Sequence, residues 1–225
     1  MRALIASFRA PFFSIRVPET YQVAVTYSFL MPSTLFGSIC ASLCVLNGWS
    51  EQECREKLRG TKVRESYNGL IYSTKFPVIL RRTRKVLEEG KLPETLDEFK
   101  GFSDAMVREY AYSLDERKVV VVSHGIDALK EALRLVNRVG DSESLVAVVD
   151  LREVELEECG SGEINVMSKV GAGGDVIKGF DEEGKPSTFY VPVKAFPWYL
   201  IYSPVKYKGR VLCGGGIKVP AEGEW

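Results

Sequence analysis

The chain holds a single histidine, His124, in 225 residues. A histidine-rich metal site is thereby excluded, and a zinc site would need unusual ligands. CxxC pairs are absent too. The five cysteines stand at 40, 44, 54, 159 and 213. Cys40 and Cys44, four apart on an expected helix, suit packing better than a disulfide, so reduced and mostly buried thiols are expected. No run of about 18 apolar residues occurs, and so no membrane span is expected. The opening MRALIASFRAPFF has too short an apolar stretch for a secretion signal, and Arg9 and Pro11 interrupt it. These absences make a cytoplasmic protein the expectation. There is no GxSxG elbow, no GxxxxGK[ST] loop, no RNP1 pattern and no internal repeat. Neither a cofactor nor a metal is expected.

Net charge is also lacking: 30 Lys and Arg balance 30 Asp and Glu. The balance is uneven along the chain. Residues 1–92 hold 14 basic and 7 acidic residues, and residues 93–225 hold 16 and 23. Residues 62–91 carry eight basic against three acidic, and residues 141–163 eight acidic against one basic. A neutral total can hide a basic surface fit for a polyanion, although charge runs more often mark solvated faces.

With 45% hydrophobic residues the composition is that of a globular protein of one large domain or two small ones. RALIASF, at residues 2–8, is apolar at both parities, as in a strand buried on two faces. A helix is expected over residues 33–47, with bulky Leu35, Phe36, Ile39, Cys40 and Leu43 on one flank and small Gly37, Ser38, Ala41 and Ser42 on another. A second helix follows at residues 50–58, with Ser50 as N-cap and Glu51 and Glu53 in its first turn. Residues 62–85 read as two extended arms around an Asn68-Gly69 turn. Residues 106–123 read as a hairpin with LDER at its tip. Ile126, Leu129, Leu133 and Val136 mark a further helix that Gly140 would stop, and SLVAVVD, at residues 144–150, reads as a buried strand.

Strand, helix, hairpin, helix, strand is the order of a split βαβ unit, a ferredoxin-like (RRM-like) α+β domain over residues 1–150. The Gly/Pro-rich, β-prone remainder reads as a smaller β-rich C-terminal module over residues 151–225.

Candidate chemistry is sparse. Nucleophilic or acid/base catalysis would have to use His124, at a strand-to-helix corner that equally suits a structural histidine. GAGGD, at residues 171–175, reads as a flexible turn. Glu153, Glu155 and Glu157 would share one strand face, normally a solvated arrangement. Lys62, Arg64, Lys75, Arg81, Arg82, Arg84 and Lys85 interleave with Tyr67, Tyr72 and Phe76. Cations neutralise phosphates and aromatics stack on unpaired bases; the same pattern fits a charged edge hairpin. Gly214, Gly215 and Gly216, between Arg210 and Lys218, fit either a phosphate-approaching loop or a tight bend.

FRAP at residues 8–11, PSTLFG at residues 32–37 and REYAYSLDERKVVVV at residues 108–122 together resemble the Cas-five family of the CRISPR-associated RAMP superfamily, subunits of Cascade, in its archaeal type I-A branch. The resemblance implies a non-catalytic subunit that caps the 5′ handle of the crRNA and contacts the backbone subunit and the large subunit. It also implies a basic β-hairpin thumb, an insertion at about residues 60–100, with residues 62–85 as its hairpin. RNA contacts are expected from Arg9, Arg16, Ser33, Thr34, Arg64, Lys75, Arg81, Arg82, Arg84 and Lys85. One branch of the family cleaves precursor RNA without metal, and here that chemistry would fall to His124 and Lys118. A module that binds protein and no RNA is the third alternative. Ser33 and Thr34 stand where helix amides welcome an anion, unless Ser33 simply caps the helix.

Overall fold

Strand β1 (Arg2–Arg9) lies at the centre of a computed structural model that describes residues 1–18, 20, 23–82, 90, 92, 94–102, 104–160 and 162–221, with side chains at all of these except 81, 82, 99, 101, 102, 104 and 105. The chain continues through β2 (Phe12–Phe13), α1 (Pro32–Asn47), α2 (Glu51–Lys57), β3 (Lys62–Ser66) and β4 (Leu70–Arg82). Next come α3 (Leu96–Phe102), β5 (Asp104–Ser113), β6 (Arg117–Val122), α4 (Ile126–Arg134) and β7 (Ala147–Glu155). The rest is extended: β8 (Glu157–Glu158), β9 (Glu163–Ile164), β10 (Asp175–Phe180), β11 (Pro186–Val191) and β12 (Val193–Ala195). It ends with β13 (Tyr199–Tyr202), β14 (Val205–Lys206), β15 (Val211–Gly214) and β16 (Ile217–Pro220).

The central sheet runs β3-β6-β1-β7, antiparallel throughout. Leu4, Ala6 and Phe8 face one side, where Leu35, Ile39 and Leu43 of α1 meet Leu129 and Leu133 of α4. Ala3 and Ile5 face the other side, against Leu156, Val166, Ile217 and Val219. Hence β1 is apolar at both parities: one face carries helices and the other carries the C-terminal strands. A large apolar side chain, fully buried in this way, contributes about 1.5–3 kcal/mol. Helix α2 starts as its sequence dictates, with a complete capping box between Ser50 and Glu53.

A second sheet runs β12-β13-β4-β5-β2. Its longest pairing joins β4 to β5, from Ser73 opposite Ser113 to Arg82 opposite Asp104. This corrects two expected hairpins. Residues 62–66 pair with β6 in the central sheet, not with residues 70–82. Asn68-Gly69, with Gly69 at φ 95°, instead carries the chain from one sheet to the other. The residues after Ser113 do likewise, and Asp115 accepts the Tyr72 N–H at 2.6 Å. Local turn signals were sound, but β3 is buried at Val63, Arg64, Glu65 and Ser66, so it needs neighbours on both faces that a free hairpin lacks.

The boundary expected at residue 150 falls inside β7. Beyond it, Met167, Phe189, Val191, Val193 and Leu200 join the same core as α1, and β13 pairs with β4. The C-terminal third is therefore woven into the rest. Two disulfides replace the expected free thiols, Cys40–Cys54 between α1 and α2 and Cys159–Cys213 beside β15. Both have Cα atoms 5.8 Å apart, within the bridging range. Spacing along α1 correctly disfavours a Cys40–Cys44 bond; the partner arrives from α2.

Two glycine readings also change. Gly140 does not stop α4, which ends at Arg134; at φ 112° it lets the chain pass close to the Ser14 carbonyl. Gly174 in GAGGD is a close-approach position, because a Cβ there would collide with the Val191 carbonyl.

Candidate nucleic-acid interface

Helix α1 begins without a side-chain cap. Met31 is its N-cap, with φ −73° and ψ 143°, and Pro32 takes the first helical position. The Met31 carbonyl accepts the Thr34 and Leu35 N–H groups at 3.1 and 3.0 Å. Ser33 lies inside the helix and does not cap it, which corrects the capping alternative. No acidic residue occupies the first turn, so nothing there offsets the positive end of the helix dipole.

What fixes this corner is a buried charge pair. Glu65 of β3 and Arg117 of β6 form an ion pair at zero exposure. Glu65 Oε2 accepts the Leu30 N–H at 2.8 Å and the Tyr67 hydroxyl. Arg117 Nη2 donates to the Ser28 carbonyl at 2.8 Å. The sheet thus holds both ends of the segment that enters α1. Burial, with Glu65 beside it, pushes the Tyr67 hydroxyl well above its ordinary pKa. Burial alone would depress Arg117, but Glu65 and Tyr67 outweigh it and the guanidinium is held more firmly charged.

Around the corner lies a cleft of about 430 Å³, bounded by Arg16, Met31, Ser33, Thr34, Arg108 and Asp141 among others. A second groove of about 690 Å³ runs along the small flank of α1, between Gly37, Ser38, Ala41 and Ser42 on one wall and Asn137 and Arg138 on the other. The two share Thr34 and Gly140, so they adjoin at the start of α1. Ser38 and Ser42 return their hydroxyls to carbonyls one turn back, at 2.9 and 3.2 Å, which keeps the flank low. Leu35, Phe36, Ile39, Cys40 and Leu43 are buried on the opposite side.

Charge along the two hollows is positive where it is not ion-paired among the described residues. Arg16 is exposed and donates to the Thr20 carbonyl at 3.2 Å. Arg138 is exposed, and neither arginine has an ion pair among the described residues. Arg108 is neutralised by Asp141 and by Glu143 at 3.6 Å. The two hollows therefore offer two guanidiniums, a helix start without a side-chain cap and a surface that a backbone can approach closely, which together suit a phosphodiester chain.

Over 229 residues, spanning all of both chains, the sequence is 32% identical to the CRISPR-associated protein Cas5 of Thermoproteus tenax. The chain belongs to the CRISPR-associated Cas5 family. A second Cas5 protein, from Methanocaldococcus jannaschii, is 31% identical over 172 residues, 70% of this chain and 66% of that one. No protein-family model matches. Among solved structures, a CRISPR protein from Archaeoglobus fulgidus shares the fold at TM-score 0.54 and 16% identity, over 97% of this chain and 98% of that one.

Within this Cas5 chain the residues expected at the RNA disperse. Arg16, Ser33 and Thr34 do share the cleft. Arg9 is exposed and pairs with Glu116 at 3.3 Å. Lys75 lies on β4, 3.6 Å from Glu109. Arg64 must be withdrawn: it is fully buried, ion-paired to Glu182 and over the Phe189 ring, and burial lowers its pKa. Arg81 and Arg82 end β4, while Arg84 and Lys85 lie outside the described residues. Gly214, Gly215 and Gly216 make the tight bend between β15 and β16, at φ 57° for Gly215 and 81° for Gly216. The Gly216 carbonyl is taken by Asn68 and Asn165. Lys118 and His124 do not meet, since Lys118 is the second residue of β6 and His124 lies beyond the strand's far end, more than about 13 Å of extended chain away. Arg138 was missed. No motif marks it, and only the packing of the segment after α4 beside α1 brings it to the groove.

Proposed function

We propose that this protein is a structural, non-catalytic subunit of a type I CRISPR interference complex (Cascade), of the archaeal I-A branch, and that it holds the 5′ handle of the crRNA along α1. Membership of the Cas5 family supports the class of complex. The observation that carries the handle reading is the pair of adjoining hollows at the start of α1 and along its small flank, with Arg16 and Arg138 on them, neither in an ion pair among the described residues. In this reading the central sheet with α1 and α4 on one face is the ferredoxin-like unit, a reading its β3-β6-β1-β7 order favours. The β4–β5 ribbon is the base of the thumb, and the backbone and large subunits of the complex are the protein partners.

Phosphate contacts set affinity here, so binding depends on salt. Fluorescence anisotropy with a labelled handle RNA tests the reading. Arg16→Glu and Arg138→Glu each weaken binding and flatten the plot of log affinity against log salt by about 0.7 for every phosphate no longer neutralised. Unchanged affinity and slope in the double variant would sink the α1 reading.

A further inference from the structure

Three cysteines converge at the other end of α1. Cys40 and Cys44 are one turn apart on the same face of the helix, and Cys54 reaches them from α2. Their Sγ atoms all lie within 4.8 Å of one another. Cys54 and Cys40 are buried, at 0% and 3% exposure, and Cys44 is half-buried. A disulfide uses only two of these sulfurs, Cys40 and Cys54, and leaves Cys44 beside it as a free thiol. Three sulfurs at this spacing, once reduced, are what one soft metal ion gathers.

We propose that Cys40, Cys44 and Cys54 form a three-thiolate site for a thiophilic d10 cation of the Zn²⁺ class once the Cys40–Cys54 bond is reduced. Thiolate donors select such ions, and with no fourth protein ligand among the described residues a water or exogenous thiol completes the tetrahedron. The chemistry balances in two steps. A dithiol reductant gives two electrons and two protons to the Cys40–Cys54 bond and leaves as its own disulfide. Three thiols then bind M²⁺ and release three protons, which leaves a site of charge −1. Bound metal would tie α1 to α2 as the disulfide does, so the helix pair has a cross-link in either redox state.

Cys44 separates this site from a disulfide alone, because the disulfide does not need it. The full chain, reduced with a phosphine, is titrated with Cd²⁺ while the ultraviolet thiolate-to-metal band is followed, and Zn²⁺ affinity is measured against a chromophoric chelator. The reduced chain is expected to take one equivalent at the triad. Cys44→Ser is expected to weaken that binding at least about tenfold, whereas Cys213→Ser leaves it in place. Circular dichroism of the reduced chain accompanies the titration. Absence of a band, equal affinity in Cys44→Ser, or unfolding on reduction would each overturn the proposal. None of these results depends on RNA binding, so the site stands or falls apart from the handle reading.

Discussion

Glu65 of β3, opposite Val119, meets Arg117 of β6 on the diagonal in an ion pair at zero exposure, and from there the two hold Leu30 and Ser28, the residues that lead into α1. The pair couples sheet stability to the position of the interface helix. Removing one partner strands the other charge in a dry site, which costs about 3–5 kcal/mol. Glu65→Gln and Arg117→Met are expected to lower unfolding free energy by that order in urea denaturation. The effect on RNA affinity should exceed that of any distant variant of equal stability, because the α1 corner loses its anchors.

Gly37 tests the groove separately from the fold. A Cβ added there meets nothing within 4 Å, and in a helix Gly→Ala stabilises by about 0.5–1 kcal/mol. Gly37→Ala is expected to raise the melting temperature slightly and keep RNA binding. Gly37→Trp is expected to fold as well but to fill the groove and weaken handle binding. A Gly37→Trp chain that binds RNA like the parent would move the interface off this flank.

Asp181 gives the chain an acid-sensitive contribution. Burial pushes its carboxyl up, but Lys169 at 2.6 Å and the Lys185 and Glu183 N–H groups outweigh it, so its pKa lies below the usual value. A carboxyl depressed in the folded state stabilises fully above its unfolded pKa of about 3.9 and loses that contribution as pH falls through the folded value. Melting temperatures of the parent and Asp181→Asn should differ most near neutral pH and converge in strong acid. A constant gap down to the lowest pH would remove Asp181 from the account.

The Cys159–Cys213 bond spans 54 residues. Closing a loop of that length is worth up to about 4 kcal/mol through the unfolded chain. Cys159→Ser is expected to lower the denaturation midpoint under oxidising conditions. Under a strong reductant its midpoint and the parent's should coincide.

Much of the architecture was legible in local pattern. The two-sided burial of β1, the flanks of α1, the Ser50 capping box and the apolar stripe of α4 all follow from periodicity and end chemistry within ten or so residues. Pairing was less legible. Asn68-Gly69 is a fair hairpin turn, yet its flanking strands belong to different sheets, because residues 62–66 are buried on both faces and only β6 and the C-terminal layer can supply that cover. At the interface, the Pro-Ser-Thr corner marks in sequence where α1 starts, but the N-cap is Met31 and not Ser33. Arg64 looked like a surface cation by composition, and only its burial against Glu182 and Phe189 removes it.

Residues adjacent on the chain are enough to set which segments are strands and helices and where α1 is bare, and a single histidine excludes a histidine-rich metal site. They do not set which charges are spent and which remain; that follows from the way distant segments pack. Arg64, Arg108 and Arg117 are committed to carboxylates brought from 33 to 118 residues away, whereas Arg16 and Arg138, beside α1, have no ion pair among the described residues. An arginine's availability depends on its long-range partners and its burial, and neither is encoded in its neighbours.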